Sequence, residues 1–201
     1  MADRAPITMK KYQIILADPP WPQKAGRKMN GYKVVDGKQI WNSDHVKSED
    51  MPYDTMTIDE VKQFPTAGFA DTDCALFCWA TNANLGNAIE VIKAWGFKYS
   101  TTIVWAKNLM GGGLGGDFRV TTEFLIYARK GKPKAIKTCP STWFNVKRTY
   151  ENGYPKNSKK PVFFHELIES MYVGEKLELF ARNERDGWDV FGNQVNNSIE
   201  L

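Results

Sequence analysis

The sequence predicts an α/β fold with a mostly parallel sheet and helices on both faces. Short apolar runs recur along the chain: YQIILA at 12–17, CALFCWA at 74–80, STTIVWAK at 100–107, TTEFLIYARK at 121–130 and KLELFAR at 176–182. YQIILA and CALFCWA are near-continuous rather than strictly alternating, as strands covered on both faces are. Segments of helical period lie between several of them, which is the spacing of strand–helix–strand units.

The elements follow in order. YQIILA runs into Asp18-Pro19-Pro20-Trp21, where proline ends the strand. Residues 22–57 are polar, with Lys, Gly, Asn and Asp scattered through them, and are expected to form a long irregular, mobile region on the acceptor side. TIDEVKQF (57–64) starts a helix, with Thr57 as N-cap and Glu60 at the capping-box position. NLGNAIEVIKAWGF (84–97) is an amphipathic helix; Leu85, Ala88, Ile89, Ile92 and Trp95 share one face, and Gly96 stops it. MGGGLGGD (110–117) is a flexible loop. It lacks the Lys-Ser/Thr ending of a phosphate loop. Residues 131–160 are basic and loop-rich. PVFFHELIESMY (161–172) is a helix with Pro161 in its first turn, and GWDVFGNQV (187–195) closes the fold. One domain over 1–201 is expected, because the chain is long enough for one core and shows neither repeat nor linker.

Composition narrows the function classes. A formal charge of +4 permits a nucleic-acid partner without requiring one. Seven Trp suit either a surface that stacks on flat ligands or a Trp-rich core. The three cysteines are an odd number and no secretory leader is evident, so free thiols in a reducing, cytoplasmic setting are expected. Cys74 and Cys78 fall inside a strand and read as core thiols. His45 and His165 have no ligand-spaced partners, so no metal site is expected. No apolar run has the length of a membrane span.

Asp18-Pro19-Pro20-Trp21 carries the chemistry. In a parallel sheet ligands bind at the carboxyl ends of the strands, where Asp18 stands. The prolines fix two φ angles and remove two N–H donors. What remains is acceptors: the Asp18 carboxylate and the carbonyls of Asp18 and Pro19. Their natural guest is an NH₂ group with two hydrogens to donate. Trp21 offers a flat face for an aromatic ring. An exocyclic ring amine is a poor nucleophile because its lone pair is delocalised. Two acceptors on its hydrogens favour a pyramidal nitrogen, and attack on a held electrophile then rests on positioning and electrostatics. A plain surface turn with Trp21 in the core is the competing reading of these four residues alone.

DPPW resembles the signature of S-adenosylmethionine-dependent amino-group methyltransferases. Its tryptophan form is similar to the mRNA N6-adenosine methyltransferase catalytic-subunit family with its bacterial and phage relatives. Seven further blocks occur in that family's order: MPYDTMTIDEV (51–61), ALFCWATN (75–82), WGFKYSTTIVWAKN (95–108), EFLIYARKGKP (123–133), KKPVFFHELIE (159–169), LELFAR (177–182) and WDVFGNQV (188–195). The resemblance implies a Rossmann-like, seven-stranded sheet in permuted order, with the amine-binding motif before the cofactor strand. It implies that Asp18 and the Pro19 carbonyl hold the N6 amine, Pro20 shapes the corner and Trp21 packs against the base. Asp18 also lies near the methionyl amine of S-adenosylmethionine. Tyr53 and Glu123 flank the acceptor pocket, and Lys160 serves both the methionine carboxylate and the acceptor. Phe180 and Arg182 line the cofactor's nucleoside, and Asn193 and Gln194 bind its ribose.

The basic stretches RKGKPKAIK (129–137), NVKRTY (145–150) and PKNSKK (155–160), with Trp143, Phe144, Tyr150 and Tyr154 among them, suit a phosphate backbone and stacked bases, or a merely solvated surface. The expected activity is adenine N6 methylation of nucleic acid, DNA favoured over RNA, by a protein that binds no membrane and works alone or as a homodimer or heterodimer. The alternatives are methylation of cytosine N4, and a catalytically silent nucleic-acid-binding partner subunit.

Overall fold

The computed structural model describes residues 10–22, 29–35, 38–46, 55–107, 117–148, 150–151, 154–155 and 159–200. β1 (Tyr12–Ala17) leads to β2 (Met29–Val35) and β3 (Lys38–Val46). Next come α1 (Ile58–Gln63), α2 (Thr66–Phe69) and β4 (Ala70–Ala80). A 3₁₀ turn (Asn82–Asn84) opens α3 (Leu85–Ala94), followed by β5 (Lys98–Ala106) and β6 (Thr122–Lys130). The chain continues through β7 (Trp143–Asn145), β8 (Tyr150–Glu151), β9 (Tyr154–Pro155), α4 (Phe163–Met171), β10 (Lys176–Leu179) and β11 (Asp189–Phe191).

Each of the five apolar runs forms a strand of one seven-stranded sheet, in the order β11-β10-β1-β4-β6-β5-β7. The pairings are parallel except those of β6, which is antiparallel to both β4 and β5. That single reversal matters. It puts the start of β6, Thr122 and Glu123, level with the ends of its neighbours: Phe124 pairs with Ala80, Glu123 with Trp105 and Thr122 with Ala106. An acid that begins a strand thereby joins the carboxyl edge of the sheet.

Alternation along the strands feeds two cores. Ile15, Ala17, Leu76, Cys78, Ile126 and Leu177 face α1 and α3, meeting Val61, Val91 and Ile92. Ile14, Leu16, Phe77, Trp79, Trp105 and Leu125 face α4, meeting Phe164 and Ile168. Fully burying one such aliphatic or aromatic side chain contributes about 1.5–3 kcal/mol. Cys74 and Cys78 are free thiols buried in the sheet. Burial pushes the Cys74 thiol up to about 12, so it stays protonated and packs as a hydrophobe.

Local signals account for the ends. Thr57 and Glu60 form the reciprocal capping box of α1. Gly96 ends the α3 region at φ 82°, a left-handed conformation that favours glycine. Pro161 precedes α4 rather than joining it: the helix begins at Phe163, and the Phe164 N–H donates to the Pro161 carbonyl at 3.2 Å.

Three expectations change. The region 22–57 contains the β2–β3 hairpin, with Val35 paired to Lys38 across Asp36-Gly37. Asp-Gly between β-rich runs is a strong hairpin signal, masked here by the polar residues around it. The basic region 131–160 contributes β7, an edge strand parallel to β5. Its cations also do not share one surface. Arg129 and Lys130 end β6 on the amino edge, in a cleft with Lys93, Lys98 and Lys132, whereas Val146–Arg148 follow β7 on the carboxyl edge. Residues 110–116 of the glycine loop lie outside the described residues. Among the described residues no helix is long and apolar enough to cross a membrane.

Candidate active site

β1 delivers Asp18 to the middle of the carboxyl edge, between β10 and β4. The Asp18 N–H donates to the Leu179 carbonyl at 3.3 Å, tying the corner to the end of β10. The Trp21 N–H donates to the Pro19 carbonyl at 2.8 Å, closing a three-residue turn around Pro20. Such a turn wants φ near the value that proline imposes. The Met56 N–H donates to the Pro20 carbonyl at 2.9 Å. One lone pair of the Pro19 carbonyl is therefore engaged.

Trp21 departs from its expected role. It is 5% exposed and packs in the α1/α3 core, and its indole N–H donates to the Trp79 carbonyl at 2.8 Å. It is a buried brace for the turn, not an open stacking face. Trp21→Phe keeps the packing but leaves the Trp79 carbonyl with only the weak Cys78 thiol donor at 3.8 Å, and is expected to cost about 1–3 kcal/mol of stability. Chemical denaturation measures this; an unchanged midpoint would remove Trp21 as the brace.

Four charged side chains of alternating sign meet at this edge. Lys160, just before α4, donates to Asp18 Oδ2 at 3.0 Å and lies 3.3 Å from Glu123 Oε2. Glu123 Oε1 takes a short contact from Lys107, the residue after β5. The Lys160 ammonium sits 5.3 Å from the centre of the Trp79 ring, and the Lys107 ammonium 5.2 Å from that of Trp105. Buried aromatics thus hold both cations in place.

The balance of burial and partners differs from group to group. Burial pushes the Asp18 carboxyl up, and Lys160 and Arg182 recover only part of the rise, so it ends above the ordinary Asp value. Burial also opposes the Glu123 carboxylate, but Lys160 and Lys107 outweigh it and hold Glu123 below its ordinary value. Burial disfavours the Lys160 ammonium, yet Asp18 and Glu123 together raise it. Lys107 has one carboxylate partner and faces Arg148 and Lys160, so burial wins and lowers it.

The other expected residues sort by position. Phe180 and Arg182 follow β10, Arg182 within electrostatic reach of Asp18. The strand expected through Arg182 stops at Leu179 because Phe180 turns left-handed at φ 61°. A bulky residue in that region is strained, and strain of this kind gathers at functional sites. The Phe180 ring is 4.6 Å from that of Phe64, centre to centre. Asn193 and Gln194 are exposed on the turn after β11, next to the end of β10. That turn is placed by a close backbone approach: a Cβ on Gly192 would lie 2.0 Å from the Ala181 carbonyl oxygen. Tyr53 lies outside the described residues.

Sequence reasoning missed Lys107 and two asparagines. Asn84 is buried; its side-chain amide donates to the Pro22 carbonyl at 3.4 Å and to Thr81 Oγ1 at 3.2 Å. Asn82 donates to the Thr122 carbonyl at 2.8 Å, steadying the start of β6 beside Glu123. A hydrogen-bonding pair after an apolar strand was the available signal, in ALFCWATNAN.

The arrangement is an acceptor corner braced from below, with a compensated charge cluster beside it. The family model described as MT-A70 matches residues 12–194. The chain is 33% identical over 202 residues to the type II methyltransferase M.MunI of Mycoplasma sp, covering 97% of this chain and 83% of that protein. It is 24% identical over 197 residues to the N(6)-adenosine-methyltransferase MT-A70-like protein of Drosophila melanogaster, of which it spans 27%. It is 26% identical over 200 residues to the N(6)-adenine-specific methyltransferase METTL4 of Homo sapiens, of which it spans 38%. A match running from the first strand to the turn after the last places this protein in the MT-A70 family.

Proposed function

We propose that this chain methylates the N6 amine of adenine in nucleic acid with S-adenosylmethionine as donor, and that DNA is its favoured acceptor. One observation carries the reading. Asp18 stands at the carboxyl edge with Oδ2 on Lys160, and among the described residues its Oδ1 takes no hydrogen bond. A carboxylate so held is an acceptor for an amine hydrogen, and the second lone pair of the Pro19 carbonyl is its companion. The fly and human relatives are named for N6 of adenosine or adenine, which supports adenine as the base. DNA is favoured because the chain spans most of a type II methyltransferase and only a minor part of those longer proteins.

The donor set fits S-adenosylmethionine group by group. Asp18 would hold the methionyl ammonium and Lys160 the carboxylate. Asn193 and Gln194 would take the ribose hydroxyls, with Phe180 and Arg182 along the nucleoside. When bound, S-adenosylmethionine supplies an electrophilic methyl group on a sulfonium. The chain supplies the rest. Asp18 Oδ1 and the Pro19 carbonyl orient the amine and draw on its hydrogens, which localises the nitrogen lone pair. Asp18 Oδ1 is also placed to take the proton that the alkylated nitrogen sheds, and its raised pKa favours that step. Lys160 offsets the carboxylate charge throughout. A target in duplex must leave the stack to reach this corner.

Labelled methyl transfer onto matched single- and double-stranded DNA and RNA tests the proposal. DNA is expected to be methylated faster than RNA of the same sequence. Faster labelling of RNA would reverse the assignment of acceptor, and no labelling of any adenine-containing strand would refute the function.

A further inference from the structure

Lys107 is 8% exposed, among the least exposed charged residues of the described chain. Its backbone N–H donates to the Thr121 carbonyl at 2.9 Å, which locks the end of β5 to the start of β6. Its side chain lies along Trp105, a residue itself fixed by an indole N–H donated to the Val146 carbonyl at 2.8 Å. Burying an ammonium is costly, and a buried Lys–Glu pair is commonly no more stable than an apolar pair of the same volume. Stability alone therefore gives no reason for a lysine here.

The split of Glu123 gives one. Its Oε1 meets Lys107 and its Oε2 meets Lys160, so one rotamer serves both cations. Lys160 in turn divides itself between Glu123 and Asp18. Without Lys107, Oε1 loses its partner, and the nearest remaining ammonium is Lys160. Glu123 would then draw Lys160 off Asp18 or take up a proton. Drawing Lys160 away loosens the Asp18 carboxylate, whereas a protonated Glu123 no longer competes for Lys160, so the loss falls on the ionised form of Glu123. We infer that Lys107 is a positioning residue for the proposed transfer: it occupies one oxygen of Glu123 and thereby keeps the Lys160 ammonium on Asp18.

Among the described residues, the titratable groups around this relay include the buried Cys78 thiol beside Asp18 and Lys160. Lys107 faces Glu123 from β6, Lys160 from the segment before α4, and Arg148 from the segment after β7. Asp18 faces Lys160, Glu123 and Arg182. Lys107 is one of the two cations that hold Glu123 below its ordinary value. Its removal lets Glu123 protonate at higher pH.

The inference rests on the proposed function, and the test separates the two. Wild type, Lys107→Met, Lys107→Arg, Glu123→Gln and the double variant Lys107→Met/Glu123→Gln are compared in methyl transfer to a DNA duplex across pH. Lys107→Met is expected to lower kcat by about 10- to 100-fold, the cost of a sub-ångström to ångström misplacement. KM for S-adenosylmethionine changes much less, and the deficit against wild type is largest where Glu123 is ionised and shrinks on acidification. Lys107→Arg, which keeps the charge, recovers most of the rate. The double variant is no slower than Glu123→Gln alone, because Lys107 acts through Glu123. A structural role would instead give losses that multiply. Carboxyl-carbon NMR supplies a readout independent of turnover: the Glu123 carboxyl titrates at higher pH in Lys107→Met than in wild type. An unchanged Glu123 titration overturns the inference whatever the activity. So does an active wild type whose Lys107→Met variant keeps its kcat and pH profile.

Discussion

Lys160→Met is expected to abolish methyl transfer and to lower stability at neutral pH by about 3–5 kcal/mol, the usual cost of breaking a buried pair by removing one partner. Lys160 contacts both carboxylates of the site, and its side chain is 13% exposed. Its loss leaves Asp18 without its nearest cation, beside a Glu123 that already pushes its pKa up. Glu123 keeps Lys107, so Asp18 bears most of the change. The sign of the pH dependence follows. In the variant the folded pKa of Asp18 rises further above its unfolded value. A carboxyl so raised stabilises the fold while protonated, and that contribution is lost as pH rises through the folded pKa. The stability deficit of Lys160→Met against wild type should therefore widen from mildly acidic to alkaline buffer and shrink on acidification. Urea denaturation of both proteins across that range measures it. A deficit independent of pH would mean that buried carboxylates are not its source.

Asp18→Asn is expected to reduce kcat by about three orders of magnitude or more, a loss of about 4 kcal/mol of transition-state stabilisation. The amide keeps the shape of the carboxylate but replaces one acceptor oxygen with a donor. It can satisfy Lys160 or the guest amine with its single oxygen, not both. The fold should survive. Burial already raises the Asp18 pKa, so the site penalises the charged form and a neutral isostere removes that penalty. Thermal unfolding is expected to be unchanged within a few degrees while turnover vanishes. The same contrast tells a catalytic acid from a structural one: a structural Asp18 would lose stability and activity together.

Most of the architecture was legible because the strands advertise it. YQIILA and CALFCWA are buried on nearly every residue, and KLELFAR alternates buried Leu177, Leu179 and Ala181 with partly exposed neighbours; runs of these kinds have few other fates. The capping box at Thr57 and the stop at Gly96 are local chemistry and were readable as such. The β2–β3 hairpin was not, because its strands are interrupted by polar residues and hidden in a long polar region. The reversal of β6 was not legible either: strand direction is set by chain connection and partner choice, not by the run itself.

The site divides the same way. Asp18 and Lys160 were readable from motif and resemblance, and the structure brings them together at 3.0 Å with Glu123 beside them. Trp21 was ambiguous in the sequence because a Trp next to an acid on a strand end suits a stacking face and a core brace equally. The 2.8 Å bond to the Trp79 carbonyl shows the bracing contact. Lys107 was overlooked because a lysine closing a strand usually points to water. Its burial depends on Trp105 and on a β6 that runs backwards to set Glu123 opposite.

The most direct measurement is the identity of the nucleoside made by the purified protein. DNA treated with the protein and labelled S-adenosylmethionine is digested and analysed by mass spectrometry, alongside the same reaction with Asp18→Asn. The account predicts N6-methyladenine from the wild type and no labelled nucleoside from Asp18→Asn. N4-methylcytosine as the product would contradict the choice of base, and N6-methyladenine from Asp18→Asn at the wild-type rate would contradict the role of the acceptor corner.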